Sequence, residues 1–153
     1  MDKGWSKGRY NVVNTKKYLS SITPIYRSSW EYTMMYFLDH NENILRWGSE
    51  FIQIPYVHPT DSTGKMHTYY PDFYLEFRTR DDKVKKWIVE VKPEKQLRPP
   101  TQQRKTKTYK FQMLTYLINI AKWNAAKAYC QYHGLEFKLF TEREIKGLRS
   151  GGI

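Results

Sequence analysis

The run WIVEVK, residues 87–92, is apolar on both faces of a strand. Side chains alternate along a strand, so Trp87, Val89 and Val91 share one face, and Ile88, Glu90 and Lys92 the other. A strand with apolar members on both faces is covered on both. That predicts a layered α/β arrangement with this segment central in the sheet. Within that frame Glu90 and Lys92 are costly residues, roughly 6.6 Å apart along one face. A carboxylate taken out of water needs a cation or it protonates. Lys92 is one candidate cation and a metal ion is another.

The neighbouring segments supply the other layers. In HTYYPDFYLEF, Phe73, Leu75 and Phe77 alternate with Asp72, Tyr74 and Glu76, which predicts a half-buried strand. WGSEFIQIPYV has strand composition through Phe51, Ile52, Ile54 and Tyr56, and HPTDSTGK and RTRDDK read as turns. Ser28-Ser29-Trp30-Glu31 has the spacing of a capping box, followed by Met34, Met35 and Leu38, predicting a helix over about 29–40. A long helix is expected over about 109–133, with Leu114, Leu117, Ile118, Ala121, Ala125 and Ala128 as its apolar stripe and Gly134 as its stop. LEFKLF reads as a last strand, and Thr141 with Glu144 as the start of a short helix. The expected order is helix, three strands, helix, strand, helix, a central mixed sheet flanked by helices. At 153 residues this fills one domain over 28–153.

Charge is unevenly spread. The net charge of +11 falls in two segments: residues 1–27 carry +5 and residues 92–110 carry +6. The first reads as a basic N-terminal arm without clear periodicity, and residues 93–108 as a basic, proline-containing loop. Two basic segments around a neutral core point to a polyanion, with nucleic acid ahead of a membrane surface. Lys105, Lys107 and Lys110, at the entrance to the long helix, are the expected phosphate contacts. One cysteine, Cys130, excludes an internal disulfide and any cysteine-based zinc site. None of the four histidines has metal-ligand spacing. With no apolar stretch of membrane-span length and no hydrophobic centre in MDKGWSKGRY, the chain is expected to be soluble and intracellular.

Three acids can converge. Strands joined by a short turn are usually neighbours, which brings Asp72 beside Glu90, and Glu31 shares the inward stripe of its helix. Carboxylates from three elements make a hard-oxygen site suited to Mg²⁺. Each acid also has a plainer reading. Glu31 can be only a capping acid, Asp72 an edge-strand surface residue, and Glu90 with Lys92 a solvated charge pair. Glu50 stays outside the expected catalytic set as a structural residue or a further ligand.

Pro71-Asp72 followed by Glu90-Val91-Lys92 resembles the PD-(D/E)XK pattern of restriction-endonuclease-like nucleases, with Glu31 in the place of their first-helix acid. A narrower resemblance covers most of the chain. YRSSWE, WGSEFIQIPY, YPDF, VEVKPE and KWNAAKAYCQYHGLEFKLFTE are similar to the head completion nucleases of contractile-tailed phages, and more distantly to TnsA-type endonucleases.

The resemblance implies a Mg²⁺-dependent DNA nuclease with little sequence preference, with Mn²⁺ able to substitute. It would process packaged DNA before tails join heads, in the host cytoplasm or on the virion, beside head, portal or neck proteins. Asp72, Glu90 and the Val91 carbonyl would hold the ion, Glu31 would act through water or a second ion, and Lys92 would orient the attacking water or stabilise developing charge. Gln112 is a possible auxiliary. The competing readings are a non-enzymatic DNA-binding head-closure protein and a junction-resolvase or transposition-type endonuclease.

Overall fold

In the computed structural model, which describes residues 7–101 and 104–153, the two alternating runs fold as adjacent strands. In chain order the elements are β1 (Gly8–Arg9), β2 (Ile25–Tyr26), α1 (Ser29–His40), β3 (Ile44–Ser49), β4 (Ile54–Val57), β5 (Met66–Tyr69), β6 (Phe73–Arg78), β7 (Val84–Val91), α2 (Lys107–His133), β8 (Glu136–Phe140) and α3 (Glu142–Arg149). Four strands form the central sheet in the order β3-β6-β7-β8. The β3/β6 and β6/β7 pairs are antiparallel and β7/β8 is parallel, so the sheet is mixed, as expected, with β7 inside it.

Each sheet face has its own core. Met34, Met35 and Leu38 of α1 and Ile145 and Leu148 of α3 pack on Trp47, Phe73, Leu75, Phe77 and Val89. On the other face Trp123, Ala126 and Cys130 of α2 pack on Tyr74 and Ile88. Val89 and Ile88 thus go to opposite layers, which is why β7 had to be apolar on both sides. Burying a side chain of this size contributes roughly 1.5–3 kcal/mol relative to leaving it exposed.

Three elements differ from expectation. The run WGSEFIQIPYV is not one strand. β3 ends at Ser49, Glu50 takes a left-handed backbone with φ 52°, and β4 begins afresh at Ile54. HTYYPDFYLEF is also two strands, because Tyr70, Pro71 and Asp72 separate β5 from β6. β4 and β5 pair with each other as a hairpin, which rests on α2 through Ile54, Tyr56 and Tyr69. Lys122 of α2 lies 5.8 Å and 5.6 Å over the rings of Tyr56 and Tyr69. Finally, the buried face of α2 is Asn119, Trp123, Ala126 and Cys130, while Leu117 and Ala128 of the expected stripe are exposed. A tryptophan and a cysteine two turns apart bury more than the small alanines could, and they set the helix's rotation. None of the helices among the described residues is long and apolar enough to cross a membrane, the 27-residue α2 included.

Residues 1–6 of the expected arm lie outside the described residues. Residues 7–27 lack helical or strand periodicity, yet they are packed. β1 pairs with β2, Tyr10 is buried, and a 3-10 turn spans Thr15–Lys17. The anchor is Asp39, fully buried in the last turn of α1. It accepts the Tyr10 hydroxyl at 2.8 Å and the N–H groups of Val13 and Asn14 at 2.8 Å and 2.9 Å. The Asn14 amide and the Lys17 ammonium donate to the carbonyls of Asp39 and Asn41, satisfying the C-terminal end of α1. The segment is held by polar bonds to a helix end, which leave no repeating pattern in sequence.

Candidate active site

The site forms where β6 begins, β7 ends and α1 starts. Asp72 precedes β6, whose Phe73 pairs with Val89, so Asp72 comes level with Glu90. Two backbone amides of the adjoining strand ends fix the two carboxylates. The Asp72 N–H donates to Glu90 Oε1 at 3.2 Å, and the Val91 N–H donates to Asp72 Oδ2 at 2.8 Å. Lys92 Nζ stands 3.6 Å from Glu90 Oε2, a direct contact that strand spacing alone does not demand. Glu90 is buried at 6% exposure, with the Tyr69 hydroxyl beside it. Burial, then the Glu90 charge, pushes the Tyr69 phenol far above its ordinary pKa, so it stays protonated.

Glu31 enters from the first turn of α1. Its N–H donates to the N-cap Ser28 hydroxyl oxygen at 3.2 Å, and the same hydroxyl lies 3.3 Å from its carboxylate. Capping is therefore part of its role, and the carboxylate also reaches the site. One carboxylate oxygen from each of Glu31, Glu50 and Asp72 lies within 4.8 Å of the others.

Glu50 is the residue that sequence reasoning set aside. Its left-handed backbone is held by its N–H donating to the Asp72 carbonyl at 3.1 Å. A non-glycine residue at φ 52° is uncommon, and such residues concentrate at functional sites. The signal available in sequence was the interruption of apolar residues at Gly48-Ser49-Glu50, which also reads as ordinary strand composition. The Arg27 guanidinium, just before the Ser28 cap, forms an ion pair with Glu50.

The electrostatics show what the cluster lacks. Burial, followed by the charges of Glu90 and Glu31, raises the Asp72 carboxyl well above the usual range, against the Val91 N–H and Lys92. Burial likewise raises Glu31, with Glu50 adding to it and Arg27 and Ser28 opposing. Carboxylates this close that are already pushed toward protonation gain from a bound cation. Their oxygen-only donor set fits a hard divalent ion. Of the residues expected to act, Glu31, Asp72, Glu90 and Lys92 gather here. Lys105, Lys107 and Lys110 are exposed, Lys105 before α2 and the other two in its first turn, where Thr106 caps the helix through the Tyr109 N–H. Gln112 is exposed one turn further on and lines a groove of about 680 Å³ with Lys95 and Arg98.

Comparison with known proteins places the chain in a family. The family model described as TnsA-like endonuclease N terminal matches residues 41–142, a span holding Glu50, Asp72, Glu90 and Lys92 but not Glu31. The chain is also 30% identical over 147 residues to the head completion nuclease of Enterobacteria phage T4, covering 92% of this chain and 94% of that protein. The chain belongs to the TnsA-like endonuclease family, with the restriction-endonuclease-like fold, and within it to the phage head completion nucleases.

Proposed function

We propose that this protein is a divalent-metal-dependent DNA nuclease that cuts phosphodiester bonds with little sequence preference during phage head completion. The observation that carries the reading is the convergence of Glu31, Glu50 and Asp72 within 4.8 Å, with the Asp72 N–H donating to Glu90 beside them. The nuclease names of its relatives support the reaction class. Its place in head completion follows the name of the T4 relative, and action on packaged DNA before tails attach is what the resemblance in sequence implies.

Asp72 and Glu90, with Glu31 and Glu50 beside them and the Val91 carbonyl at the end of β7, would hold Mg²⁺, or Mn²⁺ in its place. A bound ion supplies charge neutralisation at the phosphate and acidifies a water for attack. The protein's own residues do the positioning. The Val91 N–H fixes the Asp72 carboxylate, the Asp72 N–H fixes Glu90, and Glu90 holds the Lys92 ammonium. Lys92 then presents a positive charge where a water is oriented and where charge develops on the phosphate. Lys105, Lys107 and Lys110 contact backbone phosphates, which carries affinity but no sequence information.

The test is incubation of supercoiled plasmid with Mg²⁺. Nicking that stops with EDTA and with Asp72→Asn, Glu90→Gln and Lys92→Ala supports the enzyme and its site. Variants that cut as wild type does would move the active site elsewhere. A wild-type protein that binds DNA and never cuts it would favour the head-closure reading.

A further inference from the structure

We infer that Arg27 is a counter-ion that guards Glu50 in the metal-free protein and turns to the DNA phosphate once a divalent ion takes Glu50. The inference rests on the metal-site reading above and extends it to a residue outside the matched family span.

The position of Arg27 is built. The β1–β2 ribbon fixes the backbone through Gly8 opposite Tyr26 and Arg9 opposite Ile25. The Tyr26 ring packs edge-on against Tyr32 of α1 at 5.2 Å, and Ser28 immediately caps that helix. Arg27 is thus clamped between a strand pair and a helix start, with only its side chain free to turn.

That side chain is 47% exposed and forms an ion pair with Glu50, which is 33% exposed. The Glu50 bond, then the charges of Glu31 and Asp72, keeps the guanidinium firmly protonated, so it lies in the field of the whole cluster. Its backbone also sits against the Glu31 carboxylate. A guanidinium and a divalent ion cannot both hold the same Glu50 oxygen in full. Ion binding therefore releases a planar fork of donors at the mouth of the site. That fork matches the geometry of a phosphate. Arg27 then acts as a DNA-positioning residue in the ion-bound protein alone, and as a competitor of the ion in the free protein.

The test uses Ca²⁺ as a probe ion, titrated calorimetrically into the full chain without DNA, and DNA binding measured against salt with and without Ca²⁺. Arg27→Gln should tighten Ca²⁺ by about two- to fivefold, the range expected for removing a part-exposed ion pair. Arg27→Lys, which keeps the charge, should stay near wild type. In DNA binding, Arg27→Gln should lower the salt slope by roughly one phosphate contact with Ca²⁺ present and leave it unchanged without Ca²⁺. Unchanged Ca²⁺ affinity in Arg27→Gln, or an equal DNA defect with and without the ion, overturns the inference while leaving the metal site standing. A wild-type protein that binds no Ca²⁺, together with an Asp72→Asn variant that still cuts plasmid, overturns the site reading and this inference with it.

Discussion

The Asp72 N–H donates to the Glu90 carboxylate, and the N–H of the next residue, Val91, donates to the Asp72 carboxylate. Each carboxylate therefore keeps an oxygen for a further partner while its own orientation is set by the sheet. Rigid placement by strand ends is what a reaction needing sub-ångström positioning demands. It also puts buried negative charge where no side-chain cation fully offsets it.

The first prediction separates function from stability at Asp72. Asp72→Asn keeps an oxygen to accept the Val91 N–H but removes the charge. Cleavage should fall by about 100- to 1,000-fold, the scale for losing a principal electrostatic group. The metal-free protein should become more stable, because the wild-type carboxyl is held above its ordinary pKa chiefly by burial. A raised acid pKa means the folded state retains the proton longer, so wild type loses stability as pH rises from the unfolded value toward the folded one. The stability gap between variant and wild type should accordingly widen with rising pH in EDTA and close when Mg²⁺ is added. Thermal melts across pH 4 to 8 check this; a variant less stable than wild type throughout would contradict it.

Glu50→Gly tests the left-handed residue. Glycine removes the steric cost of φ 52°, about 1 kcal/mol, and also removes the carboxylate. Urea denaturation should show stability equal to or above wild type, while cleavage drops at least about tenfold at limiting Mg²⁺. Retained activity would return Glu50 to a structural role.

How much of this could be read in the chain beforehand depends on what each residue's signal competed with. Period-two alternation at Phe73–Phe77 and Trp87–Val91 placed β6, β7 and the pair Asp72 and Glu90 correctly, because packing on two sheet faces writes directly into sequence. Ser28, Thr141 and Gly134 marked helix ends for equally local reasons, and all three act as caps. Glu50 was obscured because a one-residue backbone reversal leaves the composition of a strand intact. The β4–β5 hairpin was hidden by Tyr70-Pro71, which looked like the middle of a longer strand. The N-terminal segment was invisible because Asp39 holds it through backbone amides, which any sequence possesses.

Asp39→Asn follows from that last point. Burial alone would raise this carboxyl, yet the amides of Val13 and Asn14 and the Tyr10 hydroxyl outweigh it and hold it below its ordinary value. A depressed acid pKa contributes stability that is complete above the unfolded value, near about 4, and is lost as pH falls through the folded one. At neutral pH the substitution should cost roughly 2–3 kcal/mol, the scale for weakening hydrogen bonds to a buried charged group. The cost should shrink as pH drops below about 4. Denaturation curves at pH 7 and pH 3 decide it, and an equal cost at both would mean that the charge contributes nothing.

The basic entrance to α2 makes the final prediction. Lys105, Lys107 and Lys110 are exposed, and none of them forms an ion pair among those described. Replacing all three with alanine should leave the fold intact, since alanine is a good helix residue and Thr106 still caps α2. Each lost phosphate contact lowers the slope of log affinity against log salt by about 0.9 on duplex DNA, so three should lower it by roughly 2.7. Binding should weaken alike on unrelated sequences, because phosphate contacts do not read bases. Cleavage at saturating DNA should remain, since Asp72, Glu90 and Lys92 are untouched. A triple variant with the wild-type salt slope would take these lysines off the DNA path and leave Lys95 and Arg98, which line the groove beside Gln112, as the cations to replace next.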